Sequence, residues 1–216
     1  MLPQRINLIA YSTFAVIICY IDRVNISVAI IPMQEQFGWS DSQVGFIFSS
    51  FYLGYMLTMA LGGYLSDKFG GKRVLGWGVV LWSIFTILTP LAAHNGFFAL
   101  FFIRILMGIG EGVTFPAWHS LYARWIPFNE RTRAIAFTNS GVSIGTIIGY
   151  IGTQMIILAM GWEWAFYIFG IVGLVWFIFW NRNVTSYPNE HKRISAEELA
   201  YIPVSFTHLR AHETST

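Results

Sequence analysis

The chain has 216 residues, of which 55% are hydrophobic, 18% aromatic and only 11% charged, and its formal net charge is +2. A soluble domain carries about a quarter charged residues, so this composition excludes an ordinary soluble protein and indicates a membrane protein. The small charge, without basic runs among aromatic residues, gives no reason to expect nucleic acid as a partner. The single cysteine, Cys19, excludes a disulfide within the chain.

Six apolar runs are long enough to cross the roughly 30 Å hydrocarbon core of a bilayer as helices. In chain order they are residues 6–31, 43–66, 73–93, 97–122, 132–158 and 164–182. The first run is not a signal peptide, because no small-residue cleavage site follows it and apolar sequence resumes at Val24. The sequence therefore predicts an all-α, multi-pass integral membrane protein whose residues 1–183 form one bundle of six spans in a lipid bilayer.

Basic residues alternate between the two sides of this arrangement. They occur before the first span, in every second connection and after the sixth span, as Arg5, Lys68, Lys72, Arg73, Arg124, Arg131, Arg133, Arg182, Lys192 and Arg193. The other connections, around residues 33–41, 93–96 and 159–163, contain no Lys or Arg. Because cytosolic loops carry the excess of basic residues, both termini are predicted to be cytosolic.

The first and fourth spans contain the charged residues. Asp22 and Arg23 are predicted to lie roughly 25 Å from the cytosolic end of the first span, in the outer part of the membrane. Arg104 and Glu111 are seven residues apart, which places them on one face of the fourth span. A charge near a span centre costs about 2.5–3.5 kcal/mol, while each large apolar residue returns only about 0.3–0.6. Two acids and two bases therefore predict compensated charges that face other helices or a water-filled cavity.

The alternative interpretation places the acid–base pair at the membrane interface. The first span would then end at Tyr20, and Arg104 would extend its side chain to the interface. That span would have only about 15 residues to cross the core, fewer than a helix needs, and this alternative does not account for Glu111.

The connection between the second and third spans has the sequence GYLSDKFGGKR, from Gly63 to Arg73. It combines a helix end, a glycine turn and a group of cations around one anion, which suits a loop that fastens two helix ends together, with the anion facing a helix N-terminus. An ordinary solvated loop has a similar composition. We interpret this connection as a candidate conformational gating loop. Its candidate residues are Gly63, Asp67, Lys68, Gly70, Lys72 and Arg73.

Small residues recur at helical spacing in two spans. They are Gly108, Gly110 and Gly112 in the fourth span and Gly141, Gly145, Gly149 and Gly152 in the fifth. Such spacing allows helices to approach closely in lipid, so it predicts a tight bundle without indicating an activity.

Three further polar residues are weaker candidates. Tyr55 on the second span suits a hydrogen bond to a substrate or ordinary aromatic packing. His119 lies near the cytosolic end of the fourth span, where an interfacial histidine needs no special role, and Asn139 on the fifth span suits a cavity or helix packing. His94 and His119 lie on opposite sides of the membrane without an adjacent acid, so the sequence predicts neither an enzyme nor a metal site or cofactor.

Several segments resemble one family in the right order. GYLSDKFGGKR resembles the loop signature of the major facilitator superfamily, in which it joins the second and third helices. YIDRVNIS (20–27), RILMGIGEG (104–112), FPAWH (115–119) and WIPFNERTRA (125–134) resemble the anion:cation symporter branch. That branch includes bacterial sugar-acid symporters, plant phosphate transporters, sialin and the vesicular glutamate transporters, and the resemblance covers roughly residues 5–200.

The resemblance implies the N-terminal six-helix bundle of this fold, a 3+3 repeat, in a secondary active transporter. It places Asp22, Arg23, Arg104 and Glu111 on a central cavity. Arg23 and Arg104, with Tyr55, would then bind a small anionic substrate such as a carboxylate, a sugar acid or phosphate. Asp22 and Glu111 would take protons, so that proton and anion bind together during alternating access. Sodium remains open as the coupling ion, as do an uncoupled facilitator or exchanger and a half-size scaffold that pairs with another half.

The end of the chain departs from the family pattern, in which six more spans and a second bundle follow. Residues 184–202 are expected to form a cytosolic linker, with Ser195 to Glu198 as a capping box that starts a short helix. Residues 203–216 match nothing expected and are predicted to be a non-native or disordered tail. The missing C-terminal bundle would be the main partner, and the resemblance places the usual partner of Asp67 in it.

Overall fold

The computed structural model describes residues 3–202, so the tail predicted at 203–216 lies outside the described residues. In chain order its helices are α1 (Gln4–Phe37), α2 (Asp41–Phe69), α3 (Gly71–His94), α4 (Phe97–Gly112), α5 (Thr114–Trp125), α6 (Phe128–Met160) and α7 (Trp162–Asn183). A short 3₁₀ turn at Pro188–Glu190 follows, and residues 196–202 are again helical. Six helices are long and apolar enough to cross a membrane when α4 and α5 are taken together. This confirms the all-α fold with six spans.

The helices are longer than the apolar runs, because backbone hydrogen bonding continues through the polar residues that flank each run. α1 continues to Phe37, six residues past the expected end, so Asp22 and Arg23 lie near the middle of its 34 residues. Their distance from the start of α1, about 27 Å at 1.5 Å per residue, is close to the expected one. Their position in the outer part of the membrane stays a prediction.

The fourth span is broken at Val113, which separates α4 from α5. Pro116 has no N–H to donate to the carbonyl of Gly112, so the regular hydrogen bond pattern cannot continue there. The span predicted at 97–122 therefore consists of two consecutive helical segments, α4 and α5.

The helices pack in two groups. α1 packs against α6 and α7, while α4 packs against α2 and α3, and α3 also packs against α7. α1 and α4 do not pack extensively against each other. Side chains, and not close backbone contacts, therefore bridge the space between them.

Glycines permit the closest helix contacts, as their spacing predicted. A Cβ atom at Gly145 of α6 would lie 2.5 Å from the carbonyl oxygen of Ile17 on α1. At the α2–α4 contact, a Cβ atom at Gly54 would collide with the Ile105 carbonyl, and one at Gly108 with the Phe51 carbonyl. The backbones of these helix pairs are therefore in direct contact.

Two apolar clusters fill the interior, one toward each end of the bundle. On α1, the cluster nearer the termini reaches Cys19 and the other begins at Ile26. On α4, the corresponding positions are Met107 and Leu100. Asp22 and Arg104 lie between these positions, so a polar layer separates the two apolar clusters.

Candidate functional site

An ion pair between Arg23 of α1 and Glu111 of α4 forms the centre of this polar layer. The Nη2 and Nε atoms of Arg23 lie 3.0 and 3.2 Å from the same carboxylate oxygen of Glu111, Oε2. The Glu111 side chain is fully buried, whereas that of Arg23 is 16% exposed. Successive helical residues point about 100° apart, and Arg23 accordingly pairs across the bundle and not with the adjacent Asp22.

Cys19 completes the surroundings of the Glu111 carboxylate. Its Sγ atom donates to Oε2 over 3.3 Å, and Arg23 Nη2 lies 3.7 Å from the same sulfur. Oε2 therefore receives both the thiol and the guanidinium, while Oε1 has no hydrogen bond partner among the described residues. The sequence reasoning missed Cys19, although its spacing of four residues from Arg23 places both on one helix face.

Arg104 is buried without a carboxylate partner in residues 3–202. Only 2% of the residue is exposed, its Nη1 atom lies 3.1 Å from the sulfur of Met107, and its Nε atom has no hydrogen bond partner. Its guanidinium lies 4.9 Å from the centre of the Phe51 ring. An aromatic face attracts a cation, but it does not replace an anion.

Phe51 lies beneath both arginines. The guanidinium of Arg23 is 5.2 Å from the centre of this ring, and 4.8 Å from those of Tyr20 and Tyr55. The three rings form an aromatic wall around one face of Arg23. Tyr55 thus lies beside the cluster as expected, and it also stacks on Phe51 with ring centres 5.8 Å apart, so both of its expected roles fit this position.

Asp22 is fully buried, and neither of its carboxylate oxygens has a hydrogen bond partner among the described residues. The indole of Trp82 lies beside it, but no hydrogen bond of regular geometry joins the two. Asn25, one turn further along α1, is also buried with both side-chain polar atoms unpartnered. Leaving such groups unsatisfied costs about 1–3 kcal/mol each, so they are candidates for contact with a ligand, water or a proton.

His119 and Asn139 lie away from this cluster. The imidazole of His119 stacks on Trp118, with ring centres 3.7 Å apart, and its Nδ1 atom lies 2.8 Å from the carbonyl oxygen of Phe115. Asn139 is exposed on α6, which packs against α1 and α7 and not against α4. The structure therefore brings neither residue to the charged layer.

The loop between α2 and α3 fastens helix ends together. Gly70 has a φ of 86°, a conformation that favours glycine, and its N–H donates to the carbonyl of Ser66 over 3.0 Å. A Cβ atom at Gly71 would lie 2.5 Å from the carbonyl oxygen of Ala117 on α5. Lys72 donates to the carbonyl of Asn181 at the end of α7 over 3.0 Å. The turn thus fits closely against α5 and α7.

Asp67 faces the end of α5 and not a helix N-terminus. Its Oδ1 atom lies 3.6 Å from Nη2 of Arg124 and 3.4 Å from Oγ of Ser120, and its side chain is 77% exposed. A Cβ atom at Gly63 would meet open space, so packing in this bundle does not require glycine there. Lys68 lies over the ring of Tyr64, and Arg73 is exposed.

The linker is attached to the start of α1. Glu198 accepts hydrogen bonds from the backbone N–H groups of Gln4 and Arg5, at 2.9 and 3.0 Å, and so caps α1 from 194 residues away. Ser195 accepts from the N–H of Glu198 as predicted. The other hydrogen bond of a capping box, from the Ser195 N–H to the Glu198 side chain, is wrongly predicted. The Glu198 carboxylate binds the start of α1 instead. The side chain of Arg5 in turn binds Glu130 over 2.9 Å.

Comparison with known proteins identifies the family. Residues 12–213 match the family model described as Major Facilitator Superfamily. The chain is 46% identical over 200 residues to the rice (Oryza sativa subsp. japonica) "Probable anion transporter 4, chloroplastic", covering 93% of this chain and 34% of that protein. It is 46% identical over 198 residues to the Arabidopsis thaliana "Ascorbate transporter, chloroplastic", covering 91% and 36%.

A third relative is the Arabidopsis thaliana "Sodium-dependent phosphate transport protein 1, chloroplastic", 44% identical over 198 residues, with 91% of this chain and 38% of that protein covered. The chain therefore spans a little over a third of the length of these curated relatives.

Solved structures show the same fold. A bacterial homologue of the lysosomal transporter Spinster, in an inward-facing and unoccupied conformation, matches with a TM-score of 0.73 and 24% identity over 87% of this chain and 44% of that one. A proton:xylose symporter matches with a TM-score of 0.75 and 20% identity over 85% and 45%. These matches confirm the fold, which is that of the N-terminal six-helix half of such transporters. The match to the family model establishes that the chain belongs to the major facilitator superfamily.

Proposed function

We propose that this chain is the N-terminal bundle of a secondary active transporter that moves a small anion by proton-coupled symport with alternating access. The observation that carries the proposal is the charge layer between α1 and α4, in which Arg104 is buried without a carboxylate partner among the described residues while Arg23 is paired with Glu111. The names of the relatives, which include an ascorbate and a phosphate transporter, support a small anion as substrate.

Arg104 and Arg23 are the proposed anion-binding groups. A guanidinium can bind a carboxylate or phosphate through two parallel hydrogen bonds. Arg104 still has an unpartnered Nε atom, and Arg23 is the more exposed of the two, so it can exchange one anion for another. Both guanidiniums lie over the ring of Phe51, and Tyr55 stacks on the same ring, so the three side chains lie close to one another.

Charge balance is the proposed basis of coupling. Asp22 and Glu111 balance Arg23 and Arg104, so the four groups are neutral together when all are ionised. A monoanion that enters alone leaves an uncompensated charge in a buried site, which is costly. A proton on Glu111 both restores neutrality and releases Arg23 to bind the anion. The site then changes exposure without carrying a net charge, and Asp22 is the second proposed proton site.

The test is uptake into proteoliposomes that contain this bundle together with its complementary six-helix half, supplied in one polypeptide or as a second chain. Radiolabelled phosphate and ascorbate are the first substrates. We expect uptake to follow an imposed pH gradient and to stop with a protonophore. Glu111→Gln should abolish gradient-driven uptake yet retain exchange of labelled for unlabelled substrate, because exchange requires no net proton movement.

Two outcomes would contradict parts of the proposal. Gradient-driven uptake that persists in Glu111→Gln would exclude Glu111 as the proton site. Uptake that ignores the protonophore would exclude proton coupling and favour a facilitator or exchanger. Sodium coupling is suggested by the name of one relative, a sodium-dependent phosphate transport protein. Replacing sodium with choline in the assay distinguishes it from proton coupling.

A further inference from the structure

A polar cleft opens at the end of the bundle that carries both described chain ends. Its volume is about 750 Å³, and it lies between the first turns of α1, the start of α3, the end of α7 and the linker. Among residues 3–202, four cations line it, Lys72, Arg182, Lys192 and Arg193, against one acid, Glu190. A cleft of this size falls in the range of about 300–1,000 Å³ that holds small ligands.

Three of these cations have no ion-pair partner among the described residues. Arg182, Lys192 and Arg193 are exposed, and none forms an ion pair within residues 3–202. Lys72 donates to the carbonyl of Asn181, and the charge of Glu190 acts on it. The cleft therefore presents an excess of positive charge.

His191 also lines the cleft, and backbone groups hold its ring in place. Its Nδ1 atom accepts from the N–H of Arg193 over 3.3 Å, and its Nε2 atom lies 3.1 Å from the carbonyl oxygen of Asn183.

Apolar surface continues from the cleft along the same helix faces. Tyr11 lines the cleft on α1, and Phe14, one turn further into the span, is 58% exposed. Arg182 lines it on α7, and Phe179, one turn further into that span, is 52% exposed. A ligand with an anionic head and an apolar tail would match both surfaces, whereas a free anion would use only the first.

We propose that this cleft binds the phosphate-bearing headgroup of an anionic membrane lipid, whose acyl chains lie along Phe14 and Phe179. Basic clefts between spans at the membrane surface are suited to such headgroups, and each cation near an anionic lipid surface contributes on the order of 1 kcal/mol. This site is distinct from the charged layer between α1 and α4, so it does not depend on the proposed transport activity.

The test compares lipid binding by two charge-matched variants. The 216-residue chain, purified in a neutral detergent, is titrated with phosphatidic acid or with phosphatidylcholine of the same acyl chains, and bound lipid is counted by native mass spectrometry. Arg182→Gln should weaken binding of phosphatidic acid about fivefold, the equivalent of about 1 kcal/mol. Arg133→Gln removes an exposed arginine that lies outside the cleft, at the same end of the bundle, and should change binding less than twofold.

Inorganic phosphate is the second probe, because a free phosphate shares the chemistry of the headgroup. Displacement of phosphatidic acid by millimolar phosphate, lost in Arg182→Gln, would support the site and show that free phosphate also occupies it. Equal weakening by both variants, or equal binding of phosphatidylcholine and phosphatidic acid, would overturn the proposal. The far-ultraviolet circular dichroism of both variants verifies that each retains its helices.

Discussion

At the scale of single residues, the polar layer is arranged around one aromatic ring. Phe51 is 1% exposed and lies under the guanidiniums of both Arg23 and Arg104. Two like charges near each other repel, and the negative face of the ring offsets part of that repulsion in a largely buried site. Glu111 compensates only Arg23 by direct contact. The ring therefore contributes to the stability of the layer as well as to its shape.

Phe51→Leu should destabilise the chain in detergent more than Phe166→Leu does, by about 1–2 kcal/mol, because it removes two cation–π contacts in addition to ring packing. Phe166 is the matched control, since it is 0% exposed and packs in the apolar cluster that excludes the charged layer. The measurement is thermal unfolding followed by circular dichroism. Equal losses in the two variants would mean that the ring acts only by packing.

At the scale of helices, the close contact between α1 and α6 depends on glycines of α6 that have no side chain. Gly141, Gly145 and Gly149 of α6 face α1, whereas Gly152, further along the same helix, would place a Cβ atom 3.5 Å from the ring of Phe169, an ordinary contact. In lipid, where apolar burial does not drive association, close backbone contact is a main source of helix attraction.

Gly145→Ala should therefore separate α1 from α6 and destabilise the bundle by about 1–3 kcal/mol, as overpacking of a filled interface does. Gly152→Ala is the control in the same helix, and it should be neutral or slightly stabilising, because alanine favours the helix over glycine. Thermal unfolding of both variants decides the matter. A loss of stability at Gly152 as large as that at Gly145 would refute the explanation by close approach.

At the scale of the whole molecule, the linker at one end of the described chain is bound to the start of α1 at the other end. Glu198 caps α1, Arg5 binds Glu130 at the start of α6, and the hydroxyl of Tyr201 donates to Glu130 over 3.3 Å. The linker, α1 and α6 are thus fastened together at one point.

Glu198→Gln should weaken this attachment by about 1.5–3 kcal/mol, the range for hydrogen bonds to charged groups. Hydrogen exchange of the linker amides at 188–202 should accelerate accordingly. Glu197→Gln is the control, because Glu197 is exposed next to it in sequence and does not hold α1. Unchanged exchange in Glu198→Gln would show that the linker is held by other contacts.

The sequence predicted the six spans, because apolar length acts locally along the chain. It also singled out Glu111, which pairs with Arg23, but it did not predict that Asp22 and Arg104 would be buried without an ion-pair partner among the described residues. It did not predict which arginine pairs with Glu111, because that depends on how far α1 lies from α4. Cys19 and Phe51 look like ordinary apolar residues until the fold places charges beside them. The capping of α1 by Glu198 joins the two ends of the described chain, so no local pattern reports it.

Fixing the start of α1 to the linker turns this helix into a lever. Asp22 and Arg23 lie near its middle, about 27 Å from the capped first turn at 1.5 Å per residue. A tilt of α1 by about 5° about its middle displaces its first turn, and Glu198 with it, by about 2–3 Å. If a rearrangement of charges at the centre of the bundle tilts α1 in this way, we expect a distance probe placed on the linker to record the movement.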